Sequence, residues 1–153
     1  MSGVWARFED VSIVGARQFE IAAHPSLRQA IADGIERGFD GELPSLPDEA
    51  EVYLLRAGGE DIGLTALVRD CPDPGSVAVV ALAIDPDARG NAFATKALLA
   101  LERRLRRDGV ERVVTRVPRT NGRGLYFMLR VGYTPLPPVS VGDATWFTRG
   151  GSG

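Results

Sequence analysis

Cysteine, histidine and lysine are nearly absent from this chain of 153 residues, which holds one of each: Cys71, His24 and Lys96. A single cysteine forms no internal disulfide, and these side chains are too few for a structural zinc site, so we expect no bound metal. The 18 basic and 20 acidic residues nearly cancel to a formal charge of −2. The chain therefore lacks the basic surface that attracts nucleic acid or anionic membrane, and we expect neither as a partner.

Long apolar runs are missing as well, and we expect no leader sequence. No run reaches the ~18 residues that a membrane-spanning helix needs. The first residues, 1–5, lack the charged and apolar regions of a signal peptide. The 44% hydrophobic and 25% charged residues are typical of a soluble globular chain, and the length fits one domain. These features predict a single cytoplasmic domain.

The hydrophobic pattern predicts an α/β fold with a mixed central sheet of six or seven strands flanked by helices. Strand-like and helix-like runs follow one another in the order β-α-ββ-β-α-β-α-β-β. The predicted strands cover 18–23, 52–56, 62–69, 77–84, 110–117, 133–136 and 144–148, after one or two short strands within 4–14; the predicted helices run from Pro25 to Gly38, from Asn91 to Asp108 and from Asn121 to Val131. In the second helix, Glu102 falls on the solvent-facing side of an apolar stripe. A right-handed crossover through this helix would make 77–84 and 110–117 parallel neighbours.

The most informative stretch joins a strand to a helix. Residues 77–84 are eight consecutive apolar residues, which indicates a strand buried on both faces. A short loop follows and opens directly into the second helix. Successive backbone N–H groups at such a turn form a concave site for an anion such as a pyrophosphate, and the small residues Gly90, Ala92 and Ala94 would let it approach. A plain strand-to-helix turn is the alternative interpretation.

Two motifs in this region and after it resemble the GNAT superfamily, the acetyl-coenzyme-A-dependent N-acetyltransferases. Arg89 to Ala94 is similar to the family's acyl-CoA loop, Arg/Gln-x-x-Gly-x-Gly/Ala, which binds pyrophosphate through backbone amides. Asn121, Gly124 and Gly132-Tyr133 resemble its later motif of Asn, a small residue and Gly-Phe. The order of elements is similar to the family's over residues 17–149.

The resemblance implies a GNAT-like domain over 17–149, preceded by an extension at 1–16 and followed by a flexible tail at 150–153. It implies that a primary amine of a small molecule or peptide directly attacks the thioester of acetyl-CoA, the co-substrate. The implied cofactor-binding residues are Ala83, Ile84, Arg89, Gly90, Asn91, Ala92, Phe93, Ala94, Thr95, Asn121 and Met128. Strand pairing through the extension would produce a homodimer.

Two departures from the family pattern concern binding and proton transfer. Ala92 stands where the loop usually has its central glycine, and its methyl group is tolerated if the backbone φ is negative. Met128 stands four residues before Gly132, where the family usually has a tyrosine as general acid, and a thioether donates no proton. Tyr126 lies about 200° around the helix from that position. The general acid is therefore unassigned.

The general base is also unassigned, because residues 77–84 contain no carboxylate. His24 fits a loop or cap role better than catalysis, and the acidic residues within 40–51 fit a solvated loop better than an amine-binding site. Cys71 follows a strand in a turn and is incidental. The catalytic residues are therefore unknown, and the alternative to a transferase is a non-catalytic GNAT-like domain that binds acyl-CoA or a protein partner.

Overall fold

The computed structural model of the chain describes residues 3–17, 49–71, 73–85, 88, 92–118, 127–135 and 144–149. The strand predicted at 18–23, the helix predicted from Pro25, and His24 lie outside these residues. Four predicted site residues also lie outside them: Arg89, Gly90, Asn91 and Asn121. Within the described residues, no helix is long and apolar enough to cross a membrane.

The described strands form one mixed sheet, which confirms the predicted fold class. In chain order they are β1 (Val4–Phe8), β2 (Val11–Ala16), β3 (Glu51–Ala57), β4 (Glu60–Arg69), β5 (Ser76–Ile84), β6 (Arg112–Pro118), β7 (Tyr133–Pro135) and β8 (Ala144–Arg149). Their order across the sheet is β1-β2-β3-β4-β5-β6-β8-β7. The described residues alone contain eight strands, two of them within 4–16, which is above the six or seven expected.

One pair of neighbouring strands in the described sheet is parallel, as the sequence predicted. Helix α1 (Phe93–Arg107) connects β5 to β6, and these two strands pair in parallel while all other neighbours pair antiparallel. The apolar stripe of α1 packs on one face of the sheet, where Leu101 and Leu105 are buried with Val77 and Val113. The helix thereby fixes the positions of the ends of β5 and β6.

Glu102 corrects the predicted solvent face of α1. Glu102 is only 5% exposed, and the hydroxyl of Tyr133 donates a hydrogen bond to the Glu102 carboxylate. Tyr133 begins β7, 31 positions further along the chain. A carboxylate can be buried when a hydrogen-bond partner is supplied, and here the partner comes from a strand distant in sequence. Helical periodicity, which considers only neighbouring residues, therefore placed Glu102 on the wrong side.

The hairpin of β1 and β2 is attached to α1 by polar and aromatic contacts. The ring of Trp5 stacks on Tyr53 of β3 with centroids 4.5 Å apart, and Arg104 of α1 lies over the Trp5 ring at 5.2 Å. At the other end of the hairpin, Nζ of Lys96 lies 2.8 Å from Asp10 Oδ1. The only lysine of the chain therefore links the hairpin turn to the first turn of the helix.

A β-bulge interrupts the pairing of β4 with β5. Ala66 pairs with Ala81 and Leu67 pairs with Val79, so Val80 is an extra residue in β5. Both Val80 and Ala81 pack against the same cluster on the sheet face that does not carry α1. A bulge bends its strand and disturbs the local ladder, and this one lies in the middle of β5.

Candidate functional site

The parallel pair of strands separates halfway along β5. Pairing joins Ser76–Val79 to Arg112–Thr115, and no residue of Val80–Ile84 pairs with the described part of β6. The first four residues of β5 are buried, whereas its last five are only half-buried. The prediction of a strand buried on both faces is therefore wrong for Val80–Ile84. The backbone groups on this edge, which includes Ala83 and Ile84, therefore lack a ladder partner in the described part of β6, and a ligand can bind them. We call the space between the separated strands the cleft.

The opposite edge of the same segment is held closely by β4. Gly63 pairs with Ile84, and a Cβ atom built on Gly63 would lie 2.2 Å from the carbonyl oxygen of Ala83. Just beyond the strand, the N–H of Asp85 donates to the carbonyl of Ile62 at 2.7 Å. Glycine is needed at 63 because the two backbones approach too closely for any side chain there.

The N-terminus of α1 has no side-chain cap among the described residues. No hydrogen bond from a described side chain caps it, and its first turn contains no acidic residue. The first helical hydrogen bond found runs from the N–H of Lys96 to the carbonyl of Ala92, at 3.1 Å. The N–H groups of Phe93, Ala94 and Thr95 therefore have no partner within the helix, and together with the helix dipole they favour an anion.

Ala92 adopts a left-handed backbone conformation, with φ 58° and ψ 23°. The condition under which its methyl group would be tolerated, a negative φ, is thus not met. An L-residue in this region costs roughly 1–2 kcal/mol, whereas glycine adopts it freely. The backbone geometry therefore explains why a loop of this shape favours glycine at this position.

Ala92→Gly is expected to stabilise the protein by about 0.5–1 kcal/mol, because relief of the left-handed strain exceeds the entropy that glycine loses on folding. Urea denaturation measures this change. Ala100→Gly is the matched control: Ala100 is buried inside α1, and its replacement should destabilise by about 1 kcal/mol. An equal loss of stability in Ala92→Gly and Ala100→Gly would mean that the backbone at residue 92 is not strained.

Met128 lies in the core, in a helical segment covering residues 127–130. It is 4% exposed and clusters with Leu98, Tyr133 and Phe147. The hydroxyl of Thr115 donates to its thioether at 3.0 Å. Because Thr115 is the last β6 residue that pairs with β5, Met128 lies beside the closed end of the cleft.

The described part of the chain thus brings three groups of predicted residues to one region. Ala83 and Ile84 line the open half of β5, Ala92–Thr95 begin the helix that follows it, and Met128 lies next to the closed end. The structure adds Gly63 and Thr115, which the sequence did not single out. A glycine inside a strand is a signal for a close backbone approach, whereas a threonine in a strand is ordinary and gave no signal.

Other candidate groups in the described residues are occupied or unreactive. Glu51 accepts a hydrogen bond from the Tyr53 hydroxyl at 2.8 Å and two from Arg69 at 2.5 and 3.2 Å. Burial raises the pKa of the Cys71 thiol, which disfavours the reactive thiolate. No group of three or more possible metal ligands occurs among the residues described.

These features define a single-domain α/β protein whose only parallel strand pair among the described strands opens into a cleft beside a helix N-terminus. Residues 13–133 match the profile described as the Acetyltransferase (GNAT) family. The chain belongs to this family, as the two sequence motifs indicated. Membership supports acetyl transfer from acyl-CoA as its general chemistry and leaves open the acceptor and the catalytic residues.

Solved structures show the same fold at low sequence identity. An acetyltransferase from Thermus thermophilus is 18% identical with a TM-score of 0.74, covering 94% of this chain and 98% of its own. An N-acetyltransferase from Thermoplasma acidophilum in complex with coenzyme A is 13% identical, with a TM-score of 0.64 and coverage of 91% and 98%. A GNAT acetyltransferase from Elizabethkingia anophelis with acetyl-CoA bound is 13% identical, with a TM-score of 0.59 and coverage of 92% and 97%. No curated protein sequence matches the chain.

Proposed function

We propose that the chain is an N-acetyltransferase that transfers the acetyl group of acetyl-CoA to a primary amine. The observation that carries the proposal is the separation of β5 from the described part of β6, next to a helix N-terminus that no described side chain caps. In this proposal the pyrophosphate binds the amides of residues 92–95 together with the loop residues Arg89, Gly90 and Asn91. The pantetheine arm lies along Ala83 and Ile84, with Asn121 and Met128 on its other side.

The chemistry proposed is direct attack. The amine nitrogen forms a bond to the thioester carbonyl carbon, the C–S bond breaks, and its electron pair leaves with the CoA sulfur. The amine loses one proton to solvent, and the thiolate takes up one proton. Holding the two reactants in the cleft can lower the barrier by roughly 7–11 kcal/mol in favourable cases. Backbone N–H groups on the open edge of β5 would stabilise the charge that develops on the carbonyl oxygen.

A non-catalytic acyl-CoA-binding domain is the second candidate function. Two observations favour it: Ala92 strains the backbone at the predicted phosphate site, and Met128 is packed in the core at the position where the family usually has its acid. Neither change removes the cleft. The transferase is preferred because positioning and electrostatic stabilisation do not depend on a dedicated acid.

The acceptor and the assembly belong to the same proposal. The acceptor is a small-molecule or peptide amine, in keeping with the family, and the cytoplasm is the location that the composition predicts. A homodimer would use β1, because β1 is the terminal strand of the described sheet and Val4 within it is exposed. The domain boundary at residue 17 stays a prediction from the sequence.

The test combines binding with turnover. Isothermal titration with acetyl-CoA should show one site per chain, and a thiol-release assay over a panel of amines should show CoA release that depends on the amine. Mass spectrometry should then find the acetylated amine. Binding without thiol release for any amine would favour the binding domain, and no binding at millimolar acetyl-CoA would contradict both candidates.

A further inference from the structure

Two buried threonines lie close to the cleft, and they use their hydroxyl protons differently. Thr65 of β4 donates to the carbonyl oxygen of Ala81 at 2.8 Å, which satisfies a strong acceptor beside the bulge. Thr115 of β6 donates to the thioether sulfur of Met128 at 3.0 Å. Because a thioether is a weak acceptor, a stronger acceptor that reached Thr115 would compete successfully for its proton.

Thr115 is placed where the cleft closes. It pairs with Val79, the last residue of β5 before the bulge, and the strands separate immediately beyond this pair. The threonine is 3% exposed and lies against Met128, so its surroundings have a low dielectric constant. A ligand that follows Val80–Ile84 inward from the N-terminus of α1 ends near this hydroxyl.

We propose that Thr115 is a catalytic residue whose hydroxyl donates a hydrogen bond to the sulfur of CoA as the thiolate leaves. The inference rests on the proposed transferase function and goes beyond it by assigning a residue to the leaving group. As the C–S bond breaks, negative charge develops on sulfur and the Thr115 O–H stabilises it. The proton that finally neutralises the thiolate comes from solvent, and Thr115 keeps its own.

The contact between Thr115 and Met128 indicates how the CoA sulfur would replace the Met128 sulfur as the acceptor of the Thr115 hydrogen bond. The sulfur atom of Met128 already lies within hydrogen-bond distance of the Thr115 hydroxyl, so the local geometry suits a sulfur atom as the acceptor. The methionine side chain has three rotatable bonds and adapts to irregular space. A small rotation of its thioether would therefore release the hydroxyl as the C–S bond breaks and the CoA sulfur, now gaining negative charge, becomes the stronger acceptor.

The experiment compares Thr115→Val, which keeps the shape and removes the hydroxyl, with Thr115→Ser, which keeps the hydroxyl. We expect Thr115→Val to lower kcat roughly 10- to 100-fold, the size of one hydrogen bond to a charged group, with the KM for acetyl-CoA nearly unchanged. Thr115→Ser should stay within a few-fold of the wild type. The control Thr148→Val removes a hydroxyl that donates to the Val113 carbonyl at 3.4 Å, on the other side of β6, and should change neither constant.

Wild-type kcat in Thr115→Val, or an equal loss in the serine and valine variants, would overturn the assignment and leave the transferase intact. Absence of both CoA binding and thiol release in the wild type would overturn the transferase and this assignment together. A second measurement needs no variant: at a pH high enough to ionise the CoA thiol, the wild type should bind CoA several-fold more tightly than desulfo-CoA. Equal affinities would contradict a contact between Thr115 and sulfur even if Thr115→Val does not fold.

Discussion

Gly63→Ala is expected to destabilise the protein by roughly 1–3 kcal/mol or more and to weaken acetyl-CoA binding. The new methyl group would lie 2.2 Å from the carbonyl oxygen of Ala83, which is backbone and has no side-chain freedom with which to move away. The two strands must therefore separate, and forced displacements of this kind in a packed interior cost that amount. The strand that shifts is the one proposed to bind pantetheine, so stability and affinity should fall together.

Gly15→Ala is the matched control for this variant. Gly15 also lies inside a strand of the same sheet, but a Cβ atom at Gly15 would meet nothing within 4 Å. We expect its stability and its affinity to equal those of the wild type or to exceed them slightly. Urea denaturation and titration with acetyl-CoA measure both quantities. A Gly63→Ala variant as stable as Gly15→Ala would show that β4 and β5 are further apart than described.

Met128→Tyr is expected to destabilise the protein by roughly 1–3 kcal/mol, although it introduces the residue that the family usually carries as its acid. The methionine is enclosed by Leu98, Tyr133 and Phe147, and a larger ring in a filled core forces neighbours out of their preferred rotamers. Thermal unfolding followed by circular dichroism measures the loss, and thiol release from acetyl-CoA measures any change in turnover.

Leu129→Tyr provides the comparison, because Leu129 is the next residue of the same helical segment and is 54% exposed. This variant should unfold at the wild-type temperature. If Met128→Tyr were equally stable and turned over faster, residue 128 would have open space toward the thioester, and the tight core described here would be wrong.

Local patterns predicted much of the fold. The hairpin at Gly58-Gly59, the parallel pair of β5 and β6, and the helix between them all follow from turn residues and hydrophobic periodicity, which are properties of neighbouring residues. The separation of β5 from β6 does not follow from them. It coincides with a register shift at Val80, and a continuous run of apolar residues carries no alternation from which a register could be read.

The site was predicted less completely than the fold. The loop motif singled out Ala92, but the sign of its φ depends on how the chain leaves β5 and enters α1. Glu102 was misplaced because its partner, Tyr133, is distant in sequence. Thr115 gave no signal, since a β-branched residue in a strand is expected whether or not its hydroxyl has a function. For Glu102 and Thr115 the missing information was a contact with a residue further along the chain.

In the proposed complex, acyl-CoA binds in the cleft between β5 and β6 with its phosphates at the N-terminus of α1. Hydrogen–deuterium exchange with and without saturating acetyl-CoA measures which amides the ligand protects. Slower exchange is predicted at the amides of residues 80–84 and 93–95, with no change at Val4–Phe8. Unchanged exchange at residues 80–84 and 93–95 with saturating ligand, or protection confined to other strands, would show that acyl-CoA does not bind in this cleft.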